Sequence, residues 1–214
     1  MENRGVPSRA RRPRHLIRSS ICVDLRSCSH TPGLAKPLPS PSAHTRLASG
    51  MPKPKPDMAP TGGDPVEPGS PAPAFELPDQ DGVTRRLADA GSPVVLFFYP
   101  KDDTPGCTKE ARGFQAAEAE LAAAGVKAWG VSPQDTKSKK RFADKHGLGF
   151  PLLADEGAVV CAAYGVWRQK SMYGRSYAGV ERTTYLIDAA GVVRKRWDKV
   201  KVTGHVEDVL AALG

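Results

Sequence analysis

The sequence predicts an α/β fold, a central mixed β-sheet flanked by helices, and three observations carry that prediction. Val94 to Tyr99 is a continuous apolar run between two prolines, the pattern of a strand buried on both faces. An Ala- and Glu-rich amphipathic stretch follows it, and then a second apolar strand with no hairpin turn between the two. That order implies a parallel crossover. Near the C-terminus two alternating segments flank Ala189-Ala190-Gly191 and read as an antiparallel hairpin.

Taken in order, Ala74-Phe75-Glu76-Leu77 is a short alternating segment ended by the turn-forming Pro78-Asp79-Gln80-Asp81-Gly82. The buried strand covers Pro93 to Tyr99. Six turn-type residues lead to a helix over Gly106 to Ala124, closed by Gly125, in which Phe114, Ala117 and Leu121 recur at three and four. Val126 to Val131 returns to strand. A helix over Lys137–His146, a strand at Phe150–Leu153 and a helix over Ala158–Tyr164 come next. Strands over Arg182–Asp188 and Val192–Trp197 form the hairpin, and a helix from about His205 to Leu213 ends the chain.

The chain has 214 residues and a formal net charge of +8. Taken whole, that charge suggests a polyanion partner. Residues 1–50, however, hold nine basic residues and two acidic ones, whereas the other 164 hold 22 and 21, so the folded part is nearly neutral. Fourteen of the twenty prolines lie between Pro7 and Pro73. Residues 1–68, with their Arg runs and Ser and Pro clusters, are expected to be a disordered tail, and residues 69–214 one domain. Three readings of the tail stand open: an organellar targeting segment, a disordered arm, or an upstream extension of a chain whose translation starts at Met51 or Met58. The last is favoured, because PKPKP leads straight into the domain. No apolar run exceeds seven residues, far short of a membrane span, and no secretory signal is visible. Four cysteines at irregular positions (Cys22, Cys28, Cys107, Cys161) do not form a secreted disulfide framework. The expected location is cytoplasmic, or organellar if the tail is a targeting segment.

Most of the chemistry is concentrated in Pro100-Lys101-Asp102-Asp103-Thr104-Pro105-Gly106-Cys107-Thr108. This stretch joins a buried strand to a helix at the carboxyl edge of a parallel sheet, where α/β proteins place their sites. Thr104 is a favoured N-cap and Pro105 a favoured first helical residue. Cys107 then falls in the first turn, beside unpaired backbone N–H groups and the positive end of the helix dipole. A free thiol with a pKa of about 8.5 is only about 3% ionised at pH 7. A helix terminus contributes at most about 2 kcal/mol, and lowering a thiol to about pH 6 takes about 3.4 kcal/mol, so a further cation is required. Lys101, Lys109 and Arg112 are local candidates, and any Arg elsewhere in the chain could fold over the site. An isolated cysteine is most often a small buried hydrophobe. The TxxC cap in a proline-bounded loop after a core strand argues against that reading here.

The segment FFYPKDDTPGCTKEA closely resembles the peroxiredoxins, in particular the peroxiredoxin Q or bacterioferritin-comigratory-protein branch. The likeness runs from about Gly69 to the C-terminus. It includes VSPQDTKSKKRFADKHGLGFPLLAD, AYGVW, KSMYGRSYAGVERTTYLIDAAGVVRK and KVKVTGHVEDVLAAL. The resemblance implies a thioredoxin-like fold and an antioxidant thiol peroxidase that reduces hydrogen peroxide and organic hydroperoxides. The family's PxxxTxxC motif falls on Pro100, Thr104 and Cys107. By that resemblance Cys107 is the peroxidatic thiolate and becomes sulfenic acid. Thr104 hydrogen-bonds the peroxide, Pro100 shields the thiolate from water, and Arg182 matches the family's arginine and supplies the missing cation. By its residues alone Arg182 is an ordinary strand-edge arginine.

The sequence departs from the branch in one respect. One subgroup carries a second, resolving cysteine five residues on, where this chain has Arg112; another carries it in the next helix, near Ala143. Cys161, in AVVCAAYGV, is the other cysteine of the domain. A buried small hydrophobe is its ordinary reading, and recruitment as a resolving thiol needs the two Cα atoms within about 7 Å. The expectation is therefore a one-cysteine enzyme recycled by thioredoxin, glutaredoxin or a low-molecular-weight thiol, acting as a monomer or weak dimer without metal or organic cofactor.

Other functions fit less well. A thioredoxin-type oxidoreductase needs CxxC, and Thr104 occupies the first position of that spacing. A nucleic-acid- or lipid-binding holdase could use the RARRPR tail, but the tail has no aromatic residue for base stacking. The five histidines show no metal-ligand spacing with the cysteines.

Overall fold

The computed structural model describes residues 62–172 and 175–213. The expectations for residues 1–61, including Cys22, Cys28, Met51 and Met58, lie outside the described residues.

Residues 62–68, expected to belong to the tail, are instead held against the domain. The Gly62 N–H donates to the Trp167 carbonyl at 2.9 Å, and Val66 packs on the apolar core. Arg196 Nη1 donates to the carbonyls of Pro65 (3.1 Å) and Val66 (3.0 Å). Small residues permit the approach: a Cβ on Gly165, whose φ is +69, would lie 2.4 Å from the Asp64 carbonyl oxygen, and one on Gly62 would lie 2.5 Å from that of Ala162. Backbone hydrogen bonds in a proline-rich segment carry no apolar pattern, so this packing leaves no trace in the residue pattern.

β1 (Glu76–Pro78) and β2 (Thr84–Arg86) form a small antiparallel pair around the anticipated turn. Asp79 organises that turn: its Oδ1 accepts from the Asp81 and Val83 N–H groups, both at 2.9 Å, while Gly82 adopts φ +78. A single 3-10 turn, Leu87–Ala90, leads into β3 (Val94–Phe98), the buried run identified in the sequence.

The helix expected over Gly106 to Ala124 is two helices, α1 (Pro105–Ala116) and α2 (Glu118–Ala123). The break falls at Ala117, whose ψ of 5° leaves helical geometry, while Phe114 and Leu121 stay buried on either side of it. β4 (Lys127–Ser132), α3 (Thr136–His146), β5 (Leu152–Ala154) and α4 (Val159–Ala163) follow close to their expected places. Asp135 caps α3, accepting from the Ser138 N–H at 2.8 Å. A polar hairpin, β6 (Trp167–Met172) and β7 (Arg175–Val180), forms a two-stranded sheet that the sequence pattern did not announce. β8 (Thr183–Ile187), β9 (Val193–Trp197) and α5 (His205–Leu210) complete the domain.

The main sheet has the order β5-β4-β3-β8-β9. β3, β4 and β5 are parallel, β8 runs antiparallel to β3, and β9 runs antiparallel to β8, so the sheet is mixed. The sheet separates two apolar clusters. Val94, Leu96 and Phe98 pack with Trp129, Cys161, Tyr164 and Tyr185 on one face. Val95, Phe97 and Tyr99 pack with Cys107, Phe114, Phe142 and Val209 on the other. Alternate side chains of β3 point to the two faces, and α1 with Cys107 packs on one while α4 with Cys161 packs on the other.

Candidate active site

The site is built on the loop from Pro100 to Thr104, between the end of β3 and the start of α1. Thr104 stands at the N-cap position with extended backbone (φ −94, ψ 150), Pro105 is the first helical residue, and Cys107 is the third. The expected side-chain cap is not made. Thr104 Oγ1 donates instead to the Lys101 carbonyl at 3.1 Å, which tightens the loop and leaves the oxygen's lone pairs free to accept. Pro100 is half-buried at the loop's start, and its carbonyl accepts from Gln134 Nε2 at 3.3 Å.

Cys107 is 1% exposed, packed among the residues of the second cluster. Arg182, just before β8, reaches it: Nη2 lies 3.2 Å from Sγ. Of the cations considered in the sequence this is the one in contact with the sulfur. Lys109 points away, donating to Thr203 Oγ1 at 2.9 Å, and Lys101 and Arg112 are exposed. Cys161 is fully buried across the sheet, and both thiols are free. Burial raises the Cys161 thiol well above its usual value, and the neighbouring Asp155 adds to the effect.

Sequence reasoning missed Glu110. It lies one turn after Cys107 and is almost fully buried, and its Oε2 accepts from Arg182 Nη1. The guanidinium is therefore held by the carboxylate on one nitrogen and turned toward the sulfur on another. Burial pushes the Glu110 carboxyl up to about 7, with Arg182 opposing the rise. Its second oxygen, Oε1, is buried with no hydrogen-bond partner among the described residues. For Arg182, burial works against the charge but is outweighed by Glu110 and Cys107, and the guanidinium is held above its ordinary value. A signal for Glu110 was present in the sequence: it falls on the same helix face as Cys107 and Phe114, and a charge in an apolar stripe needs a partner.

A second buried polar group lies beneath the loop. Lys139 Nζ donates to Tyr99 Oη (2.9 Å), to Asp102 Oδ1 (2.9 Å) and to Ser132 Oγ. Tyr99 Oη donates to Asp102 Oδ1 at 2.7 Å, and Ser138 Oγ to Asp102 Oδ2 at 2.7 Å. At the loop's tip Asp103 adopts φ +54 and is gripped by Lys145 Nζ (2.6 Å) and His146 Nε2 (2.7 Å).

The AhpC/TSA family profile matches residues 68–196. The chain is 48% identical over 149 residues to a bcp protein of Coxiella burnetii, covering 69% of this chain and 99% of that one. It is 44% identical over 147 residues to peroxiredoxin Bcp of Escherichia coli K12, covering 68% and 94%. The chain is a peroxiredoxin of the AhpC/TSA family. Within it, the chain falls in the Bcp or peroxiredoxin Q branch, as a thiol peroxidase with a thioredoxin-like fold. A structure of Xanthomonas campestris peroxiredoxin Q superposes with a TM-score of 0.63 at 43% identity, covering 65% of this peroxiredoxin and 89% of that chain. The bacterioferritin comigratory protein of the same organism, described for its alkyl peroxide reduction activity, superposes with a TM-score of 0.63 at 42% identity and the same coverage. Among the described residues no helix is long and apolar enough to cross a membrane.

Proposed function

We propose that this peroxiredoxin reduces hydrogen peroxide and organic hydroperoxides through Cys107, with recycling by an external thiol. The observation that carries the reading is the 3.2 Å contact of Arg182 with the Cys107 sulfur in the first turn of α1. The thiolate attacks the terminal oxygen of ROOH; the O–O bond breaks, Cys107 becomes sulfenic acid, and RO⁻ takes up a proton and leaves as ROH. Arg182 sits where it can stabilise both the thiolate and the charge that develops on the departing oxygen. Thr104, its hydroxyl proton committed to Lys101, accepts a hydrogen bond from the peroxide O–H. Pro100 screens the sulfur from water. The alkyl peroxide activity of the Xanthomonas campestris protein supports extending the substrates to organic hydroperoxides.

The sulfenic acid is attacked by a thiol of thioredoxin, glutaredoxin or a small molecule, releasing water and forming a mixed disulfide. A second thiol then reduces that disulfide. Arg112 and Ala143 stand where the branch's subgroups carry a resolving cysteine, and Cys161 lies across the sheet, which supports a one-cysteine cycle.

The test is intact-mass measurement after one equivalent of peroxide. The expected result is gain of one oxygen, trapped by dimedone on Cys107. Loss of two hydrogens with a Cys107–Cys161 peptide link would overturn the one-cysteine cycle. Cys107→Ser is expected to abolish peroxide consumption, and retained turnover would overturn the assignment of Cys107 itself.

A further inference from the structure

We infer that Lys139 is a positioning residue for the Cys107 site: its buried ammonium fastens the loop before α1 to helix α3. This inference rests on Cys107 being the residue that attacks peroxide. Lysine is almost never fully buried unless paired, yet Lys139 has no exposed surface and sits on the apolar face of α3 with Phe142 and Ala143. All three of its protons are placed, on groups from three different parts of the fold: Tyr99 just after β3, Asp102 in the loop, and Ser132 at the end of β4. Its ammonium also lies 4.6 Å from the centre of the Tyr99 ring.

A buried ion pair is weak grounds for stability, because apolar residues of similar volume commonly do as well. What such a group does supply is one definite geometry. Asp102 is two residues before Thr104 and five before Cys107, so fixing its carboxylate fixes the path of the chain into α1. The same short loop is tied elsewhere too. The Asp102 N–H donates to Gln134 Oε1 at 3.2 Å, and Gln134 reaches back to the Pro100 carbonyl. Helix α3 contributes four side chains to this hold: Ser138 and Lys139 on Asp102, and Lys145 and His146 on Asp103. Lys139 alone among them is inside the core, with no water to replace its bonds.

Peroxide attack demands that the thiolate, Thr104 and Arg182 meet one small substrate at once, and a displacement of about 1 Å in such a site costs about 100-fold in rate. Alkylation of a thiol by iodoacetamide has no such requirement. In the full chain, well below the unfolding temperature, Lys139→Met is expected to lower the second-order rate of Cys107 oxidation by hydrogen peroxide about 10- to 100-fold. The rate of Cys107 alkylation is expected to hold or rise. Since Lys139→Met leaves the Asp102 carboxylate buried without its cation, the paired variant Asp102→Asn/Lys139→Met is measured beside it. It is expected to stay folded and to show the same selective loss. An unchanged peroxide rate in either folded variant, or an equal fall in both rates, would overturn the inference. Neither result touches the reading of Cys107, which fails only if Cys107→Ser keeps turnover.

Discussion

Replacing Glu110 with glutamine removes a buried negative charge while keeping its volume and one acceptor for Arg182. The carboxyl sits at about 7 instead of its ordinary 4.5, because burial outweighs the attraction of Arg182. The folded protein therefore keeps the Glu110 proton through a range of pH in which the unfolded chain has lost it. That stabilisation is complete below about pH 4.5 and is lost as the pH rises to about 7, and it amounts to about 3 kcal/mol. Glutamine has no proton to release, so the stability difference between wild type and Glu110→Gln should change by about 3 kcal/mol between pH 4.5 and 8, in the variant's favour at high pH. His205 is depressed by burial and titrates with the opposite sign, but it is common to both proteins and cancels in the difference. Activity should move the other way. Exchanging the charge-assisted bond to Arg182 Nη1 for a neutral one loses about 1 to 1.5 kcal/mol, or about tenfold in the peroxide rate at pH 8. Urea unfolding at stepped pH and stopped-flow oxidation at pH 8 measure the two effects. Parallel stability curves, or an undiminished peroxide rate, would refute the reasoning.

Three further predictions concern packing. A Cβ on Gly130 would fall 2.8 Å from the Phe97 ring and 3.0 Å from Leu152, so Gly130→Ala should lower stability by about 1–3 kcal/mol in urea unfolding. Gly165→Ala should dislodge residues 62–66, because its Cβ would meet the Asp64 carbonyl; protease cleavage within that segment should quicken while the core keeps its hydrogen-exchange protection. Cys161→Ser removes a sulfur from the apolar cluster but keeps a donor for the neighbouring Asp155, and should cost about 1 kcal/mol of stability. Peroxide turnover with an external thiol should stay within about twofold of wild type in that variant, as expected for a residue with no part in the cycle.

The elements that carry the site were legible because their signals are strong and local. An unbroken apolar run marks β3, and a threonine, a proline and a cysteine in fixed order mark the start of α1. Arg182 was reached through family likeness alone, since it is 75 residues from Cys107 in the chain and nothing local distinguishes it. Glu110 and Lys139 went unread for another reason: helical period placed both on buried faces, but their polarity argued for the surface. A charged residue at a core position is better read as half of a pair whose partner lies elsewhere. The β6–β7 hairpin escaped notice because its residues are mostly polar and it packs as two strands, without the alternation that a half-buried sheet imposes. The segment from 62 to 68 is held largely by its backbone groups, to which side-chain patterns are blind.

Every residue of β3 is buried, and the strand is hydrogen-bonded along both edges, to β4 and to β8. Its amides should therefore be among the last in the molecule to exchange with solvent, opening only when the whole domain does. The loop that ends at Thr104, and with it the first turn of α1 that bears Cys107, hangs from the end of that strand. Any partial opening that lets a bulky protein thiol reach Cys107 must then begin in α1 and its loop while β3 stays closed. On the proposed cycle, such loosening and re-forming around Cys107 would proceed from an anchorage that does not itself turn over.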